Sequence, residues 1–182
     1  MFEIASQRPA DGPSIETLLD LCFGPDRHRR PSYRLRDGVA PLVALGLVAR
    51  SNARLVGSLR FWPILIGGAT PALLLGPLAV DPDHRGQKIA TALVARGLDT
   101  ARRHGHRIVA TIGEPAFFSR FGFVAARTAS LAMPGAVDDT RFLVAEIAAG
   151  ALAGATGVLG PAGPGLAPDQ VAPRPTASYS TP

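Results

Sequence analysis

Residues 73–93 read LLLGPLAVDPDHRGQKIATAL and carry most of the information about the fold of this chain. An apolar strand runs as far as Pro82, and after a short turn an amphipathic helix opens over residues 85–90. The first turn of a helix exposes backbone N–H groups without intrahelical partners, and the helix dipole adds partial positive charge there. The stretch therefore predicts a site for an anionic group, and a pyrophosphate fits it best.

The rest of the pattern alternates strands with helices. A helix is predicted over 87–104, because apolar residues recur at helical spacing until Gly105 ends it, and an earlier one begins near Ser14 and ends before Gly24. Strands are predicted at 2–5, 42–49, 55–62, 72–80, 107–112, 123–131 and 141–147, with a short helix at 116–121. This order indicates an α/β fold with a mixed, mostly antiparallel twisted sheet flanked by helices.

Gly76 and Pro77 interrupt the strand that precedes the helix. Proline has no N–H to donate to a neighbouring strand, so a strand that contains it is bulged or lies at an edge. We therefore expect an irregularity in the sheet a few residues before the anion site.

The segment Arg85-Gly86-Gln87-Lys88-Ile89-Ala90 resembles the acyl-CoA-binding motif of the GNAT acetyltransferase superfamily, Gln/Arg-x-x-Gly-x-Gly/Ala. Arg85 matches the first position and Ala90 the last, whereas Lys88 stands where the family usually has glycine. Residues 114–123 and 134–154 are similar to the YhbS-like branch of that superfamily. With residues 58–63, the resemblance covers the chain to about residue 155.

The resemblance implies a GNAT fold in which a bulge splays the central strand pair and the pantetheine arm of acetyl-CoA lies between the two strands. It also implies that residues 26–38 help to wall the acceptor site. The residues expected to contact acetyl-CoA are Leu78, Ala79, Val80, Arg85, Gly86, Gln87, Lys88, Ile89, Ala90 and Phe118. A side chain at position 88 either obstructs the approach of the backbone to phosphate or, pointing outward, adds a positive charge beside it. We favour the second reading.

Acetyl transfer to an amine requires a base, because an ammonium must lose a proton before it can attack. Glu114 follows a predicted strand and is the preferred candidate, although a loop carboxylate before Pro115 can equally be structural. Asp81 and His84 are weaker candidates, since Asp81-Pro82 is an ordinary turn signal.

The general acid cannot be the tyrosine that the family usually has. Phe118 occupies the position of the tyrosine that usually protonates the leaving thiolate in this family, so Ser119, water or Tyr33 must replace it, or the thiolate leaves unassisted. On the strand before, Ser58, Arg60 and Trp62 alternate on one face and either line the acceptor pocket or form an ordinary sheet face.

A length of 182 residues fits a single domain, which we place at 1–155. Residues 160–182 are rich in Pro, Gly, Ala and Ser and are predicted to form a flexible tail. No apolar run is long enough for a membrane span and the start does not read as a signal peptide. The single cysteine, Cys22, fits a reducing compartment, so we expect a cytoplasmic protein without a membrane partner.

The formal net charge of +5 favours an anionic partner, which CoA and nucleic acid both satisfy. Aromatic residues do not interleave with the basic run at 102–107, so nucleic acid is the weaker alternative. The predicted function is transfer of an acetyl group from acetyl-CoA to a primary amine, without a metal. A non-catalytic CoA-binding sensor stays open, as do the identity of the acceptor and a homodimeric state.

Overall fold

The computed structural model describes residues 1–135 and 138–163, whose nine strands form one mixed sheet. The strands are β1 Glu3–Ser6, β2 Leu47–Ser51, β3 Arg54–Ile66, β4 Thr70–Val80, β5 Ile108–Ile112, β6 Val124–Ala125, β7 Leu131–Ala132, β8 Phe142–Glu146 and β9 Gly157–Pro161. They follow the order β1-β2-β3-β4-β5-β8-β6, with β9 on the far end of β3 and β7 beside β9. Only the pairs β4–β5 and β7–β9 are parallel, as a mostly antiparallel fold requires.

Helices cover both faces of the sheet. Helix α1 (Gly12–Phe23) packs its buried residues against one face with Val48, and helix α2 (Ile89–Arg103) packs against the other with Ala49. Neighbouring residues of a strand point to opposite faces, so β2 contributes to both cores. A third short helix, α3 (Pro115–Phe118), follows β5.

Two glycines bring α2 unusually close to the sheet. A Cβ on Gly57 would lie 2.9 Å from Ile89 Cγ2, and a Cβ on Gly97 would lie 2.8 Å from a Leu59 methyl group. These distances leave no room for a side chain at either glycine. The start of α2 is thereby held against the middle of the sheet.

The predicted bulge is present in β4. Leu78 pairs with Leu59 and Leu75 with Phe61, so Gly76 and Pro77 together oppose one residue of β3. On its other side, β4 pairs with β5 only through its Leu73 and Leu74. Beyond that point the two strands separate, which is the splayed pair expected from the resemblance to the GNAT superfamily.

The structure corrects several predicted bounds. Residues 43–45 form a turn of 3₁₀ helix rather than the start of β2, and Val43 is exposed there. Residues 126–129 form a similar turn, so the strand predicted at 123–131 is reduced to two short pieces. Ser130 follows in a left-handed conformation, with φ 56°, and redirects the chain.

Strand β9 corrects the predicted start of the flexible tail. Gly160 and Pro161 pair with Leu65 and Ile64 of β3, and the neighbouring Leu159 is buried. Because Leu159 is buried against the sheet, Gly160 and Pro161 are held in a strand, although their composition alone indicated a tail. The remainder of the predicted tail, residues 164–182, lies outside the described residues.

Within residues 1–135 and 138–163, no helix is long and apolar enough to cross a membrane.

Candidate active site

A cleft of about 220 Å³ opens where β4 and β5 diverge. One wall is the bulged part of β4, from Leu74 to Leu78, and the other is the end of β5, from Thr111 to Gly113. The Thr111 hydroxyl donates a hydrogen bond to the carbonyl of Leu75 at 3.1 Å and closes the inner end. The separation of the strands therefore produces an open cavity with exposed backbone on both sides.

Phe118 lines the base of the cleft and is buried. Its ring packs edge-on against Phe117 and Phe123, with centroid distances of 4.9 and 5.3 Å. A Cβ on Gly113 would lie 2.2 Å from the Phe118 ring, so glycine is required at that position for the ring to occupy its place. The cleft is thus closed below by an apolar surface without a hydroxyl group.

The start of α2 has the features of an anion site. The first intrahelical hydrogen bond runs from the N–H of Ala92 to the carbonyl of Lys88 at 3.0 Å, and no side chain caps the helix. The N–H groups of residues 89–91 therefore have no intrahelical acceptor. Residues 85–88 are exposed in front of them, whereas Ile89 is buried and offers only its backbone.

Lys88 has a left-handed backbone conformation, with φ 64° and ψ 14°. Residues other than glycine adopt this backbone conformation only at a cost in free energy, which explains why the family usually has glycine at this position. The side chain of Lys88 is exposed and makes no salt bridge among the described residues. The helix accordingly begins at Ile89, two residues later than predicted.

Asp81 and His84 support this loop. The buried Asp81 carboxylate accepts the N–H of Asp83 at 3.0 Å and a hydrogen bond from Arg54 at 2.8 Å. His84 Nδ1 lies 3.9 Å from the same carboxylate. Both carboxylate oxygens of Asp81 are therefore engaged in holding the turn, which gives this residue a structural role.

The backbone of Leu78, Ala79 and Val80 pairs with β3 on one side only. Leu78 lines the cleft, and the side chain of Ala79 packs under α1. The thiol of Cys22 donates to the carbonyl of Val80 at 3.3 Å, and burial raises the pKa of that thiol. The open edge of β4 thus connects the start of α2 to the cleft, with the Val80 carbonyl partly engaged.

The structure does not bring the two predicted catalytic residues into the cleft lining. Glu114 precedes α3 without capping it, and its side chain is exposed. Ser119 lies at the end of the same short helix and is also exposed. Glu114 follows the lining residue Gly113 in the sequence, and Ser119 follows the lining residue Phe118. Both therefore lie next to the cleft but outside its lining.

The segment between α1 and β2, which the resemblance led us to expect beside the acceptor site, lines the remaining side of the cleft. Arg27 is buried, and its guanidinium bonds to Glu16 and Asp20 and donates to the Tyr33 hydroxyl at 2.6 Å. Burial disfavours the charge, but these hydrogen bonds outweigh burial and raise the pKa of Arg27. The guanidinium thereby fixes the position of the Tyr33 ring at the cleft.

Arg36 lies between two aromatic rings. Its guanidinium carbon is 4.4 Å from the centre of Tyr33 and 4.5 Å from the centre of Trp62. The three-residue spacing of Tyr33 and Arg36 in a charged segment was the available sequence signal for this pair. The sequence also singled out Ser58, Arg60 and Trp62 on one strand face, and of these Trp62 supports the cleft. Arg60 instead bonds to Gln7 and Glu16. Ser58 is buried, and its hydroxyl has no hydrogen-bond partner among the described residues.

The described residues contain no cluster of three or more His, Cys, Asp or Glu side chains that could hold a metal ion.

Comparison with known proteins identifies the family. The model of the acetyltransferase (GNAT) family matches residues 13–123. The uncharacterized N-acetyltransferase YhbS of Escherichia coli is 36% identical over 154 residues, which cover 83% of this chain and 90% of that protein. The uncharacterized N-acetyltransferase YjhQ of the same species is 31% identical over 117 residues, or 63% and 65% of the two chains.

Solved structures agree with this assignment. The crystal structure of Escherichia coli YhbS in complex with CoA has a TM-score of 0.77 and 35% identity, covering 87% of this chain and 88% of that one. A GNAT acetyltransferase from Brucella melitensis in complex with acetyl-CoA has a TM-score of 0.58 and 31% identity, with 69% and 84% covered. The chain belongs to the GNAT family and is an acetyltransferase.

Proposed function

We propose that this protein transfers the acetyl group of acetyl-CoA to a primary amine within a ternary complex. The observation that carries the proposal is the continuous path from the start of α2, along the open edge of β4, to the cleft beyond Leu74. The complexes of related proteins with CoA and acetyl-CoA support the choice of donor.

In this arrangement the pyrophosphate of CoA binds the N–H groups of residues 86–91, with Arg85 and Lys88 as flanking cations. The pantetheine arm follows the backbone of Leu78 to Val80 and bonds to groups that β5 leaves unpaired. The thioester then reaches the cleft beside Phe118 and Gly113. Because the Val80 carbonyl already accepts the Cys22 thiol, we expect the pantetheine amides to depend mainly on other groups of this edge.

The reaction begins when the neutral amine attacks the thioester carbon. A C–N bond forms, the C–S bond breaks, the amine loses a proton and the thiolate gains one. Glu114 is proposed as the base, acting through a water molecule because its carboxylate is exposed outside the cleft lining. The cleft lining itself contains neither carboxylate nor histidine among the described residues.

Tyr33 is the better-placed proton donor. It lines the cleft, and its oxygen accepts a hydrogen bond from Arg27, which leaves the phenolic hydrogen free for another acceptor. Ser119 remains the alternative predicted from the sequence. Tyr33→Phe and Ser119→Ala, measured against the same acceptor, separate the two assignments.

The test of the proposal is thiol release from acetyl-CoA in the presence of a panel of amines, together with calorimetric titration of CoA. Binding with amine-dependent thiol release is the expected result. Binding without any transfer supports the CoA-binding sensor instead. Salt-dependent binding to duplex DNA, tested in parallel, would support the nucleic-acid alternative.

The single cysteine, Cys22, is a free thiol, which supports the cytoplasmic location proposed from the sequence.

A further inference from the structure

The cleft carries positive charge on more than one side that the described residues do not fully balance. Arg27, Arg30, Arg36 and Arg141 all line the cleft, and no Asp or Glu does. Arg27 is neutralised by its two carboxylate partners. The other three make no salt bridge within the described part of the chain.

Arg36 is the most constrained of these cations. Its Nε is buried and has no hydrogen-bond partner among the described residues, and one terminal nitrogen donates a long bond of 3.4 Å to the Ser32 hydroxyl. The rings of Tyr33 and Trp62 hold the guanidinium in place. A half-buried cation without a counter-ion is costly, so the position is suited to receive an anion from outside the chain.

Arg36 keeps its charge despite its surroundings. Burial lowers the pKa of Arg36 to about 10, Tyr33 opposes this shift, and the nearby Arg27 and Arg60 add repulsion, yet the group stays charged at neutral pH. Beside the end of β5, where the Gly113 N–H donates to the Arg141 carbonyl, the Arg141 side chain is exposed, and the nearby Asp138 carboxylate, one oxygen of which accepts two hydrogen bonds from Thr140, offsets only part of its charge. An oxyanion that enters the cleft therefore meets donors from two sides.

The donor does not account for this charge, because the pyrophosphate is placed at residues 85–90, at the other end of the open edge of β4. A simple alkylammonium acceptor does not account for it either, since three guanidinium groups without a salt bridge repel a cation. An amine that also carries an oxyanion satisfies both constraints. The same field lowers the pKa of the acceptor ammonium, which favours the neutral form that attacks and reduces the demand on a base.

We propose that the acceptor is a small amine bearing a carboxylate or phosphate group, and that Arg36, assisted by Arg141, binds that oxyanion. This inference rests on the proposed acetyl transfer. A guanidinium can present two parallel N–H donors to a carboxylate or phosphate, which explains an arginine rather than a lysine at this position. The oxyanion would fix the orientation of the amine relative to the thioester.

The test compares matched acceptors in the thiol-release assay. β-Alanine carries a carboxylate and O-phosphoethanolamine carries a phosphate. β-Alaninamide and propylamine have the same amine without an oxyanion and are called the neutral counterparts. α-Amino acids and their amides form a second matched series. The anionic members are expected to have at least tenfold higher kcat/KM than their neutral counterparts, and the ratio between the first two identifies the oxyanion. Equal or faster transfer to the neutral amines would overturn the proposal.

Variants assign the effect to the residue. Arg36→Met is expected to raise KM for the anionic acceptor roughly 10- to 100-fold, the range of a lost charge-assisted pair, while KM for acetyl-CoA stays unchanged and KM for acceptors without an oxyanion does not rise. Arg36→Lys should recover part of the loss. Arg103→Gln, which removes an equal charge from the far end of α2, is the control and should change neither constant. A rise in KM for acetyl-CoA in Arg36→Met would assign the arginine to the donor and refute the inference.

A binding measurement keeps this inference separate from the proposed function. With saturating CoA present, the anionic compounds should raise the melting temperature of wild type but not of Arg36→Met, and the amides should raise neither. The same selective stabilisation without any acetyl transfer would refute the proposed reaction and retain the oxyanion site. Absence of selective stabilisation together with absence of selective transfer refutes the site.

Discussion

Replacement of Lys88 by glycine should stabilise the protein, although it removes a side chain beside the proposed phosphate site. Lys88 has φ 64° and ψ 14° just before α2, in the left-handed region. That conformation costs an L-residue about 1 to 2 kcal/mol, and the greater freedom of glycine in the unfolded chain takes back about 0.5 to 1 kcal/mol. We expect a net gain in the free energy of unfolding of about 0.5 to 1 kcal/mol, or roughly 1 to 4 °C in melting temperature.

Urea denaturation of the ligand-free protein measures this gain. Lys88→Ala is the matched variant, because it removes the same charge but keeps the strained conformation, and its stability should equal that of wild type. Ala53→Gly is a second control, since Ala53 has φ 65° in the exposed β2–β3 turn, outside residues 85–91. It should be stabilised to a similar extent.

Titration of CoA with the same variants separates conformation from charge. Both Lys88 variants lose an exposed cation, so both should bind CoA more weakly, by up to about 1 kcal/mol, and Ala53→Gly should bind it as wild type does. A less stable Lys88→Gly would refute the argument from backbone strain. Tighter CoA binding by Lys88→Gly than by wild type would show that the lysine obstructs the phosphate.

Three further outcomes follow from the structure. Gly113→Ala should displace the Phe118 ring and lower the free energy of unfolding by about 1 to 3 kcal/mol in urea denaturation, because a Cβ would lie 2.2 Å from that ring; unchanged stability would place the ring elsewhere. Burial lowers the pKa of His106 to about 4 from 6.5, so the stability it contributes is complete above pH 6.5 and is lost as the pH falls toward 4; denaturation at pH 7.5 and 5 should differ by about 1 to 2 kcal/mol more in wild type than in His106→Gln. Glu114→Gln should lower kcat roughly 10²- to 10⁴-fold with CoA binding preserved if the carboxylate is the base, and an unchanged pH–rate profile would reassign that role.

The sheet and its irregularity were readable from the sequence because they depend on local rules. Pro77 cannot donate a hydrogen bond, so its place in an apolar run indicated the bulge that separates β4 from β5. The spacing of apolar residues gave α2 to within two residues at its start. Residues 43–45 were harder, because a short apolar run does not distinguish a strand from a turn of 3₁₀ helix.

The donor site that we propose follows from local sequence, whereas residues 26–38 were assigned to the acceptor side only through the resemblance. Residues 85–90 are contiguous, and their chemistry follows from the first turn of a helix. The role that we propose for Arg36 depends on its stacking on Trp62, which is 26 positions away in the sequence and is brought there by the register of β3. Nor does the sequence reveal that Glu114 is exposed, since the same residues could turn the carboxylate either way.

Strand β9 has a consequence for how short the chain can be made. It occupies the edge of β3 from Ile64 to Ile66, and its Leu159 is buried against the sheet. A protein ended at residue 155 would leave three residues of an apolar strand with unpaired N–H and C=O groups. Such an edge is a template for pairing with a second molecule, so the shortened protein should self-associate and precipitate even where its catalytic residues are all present.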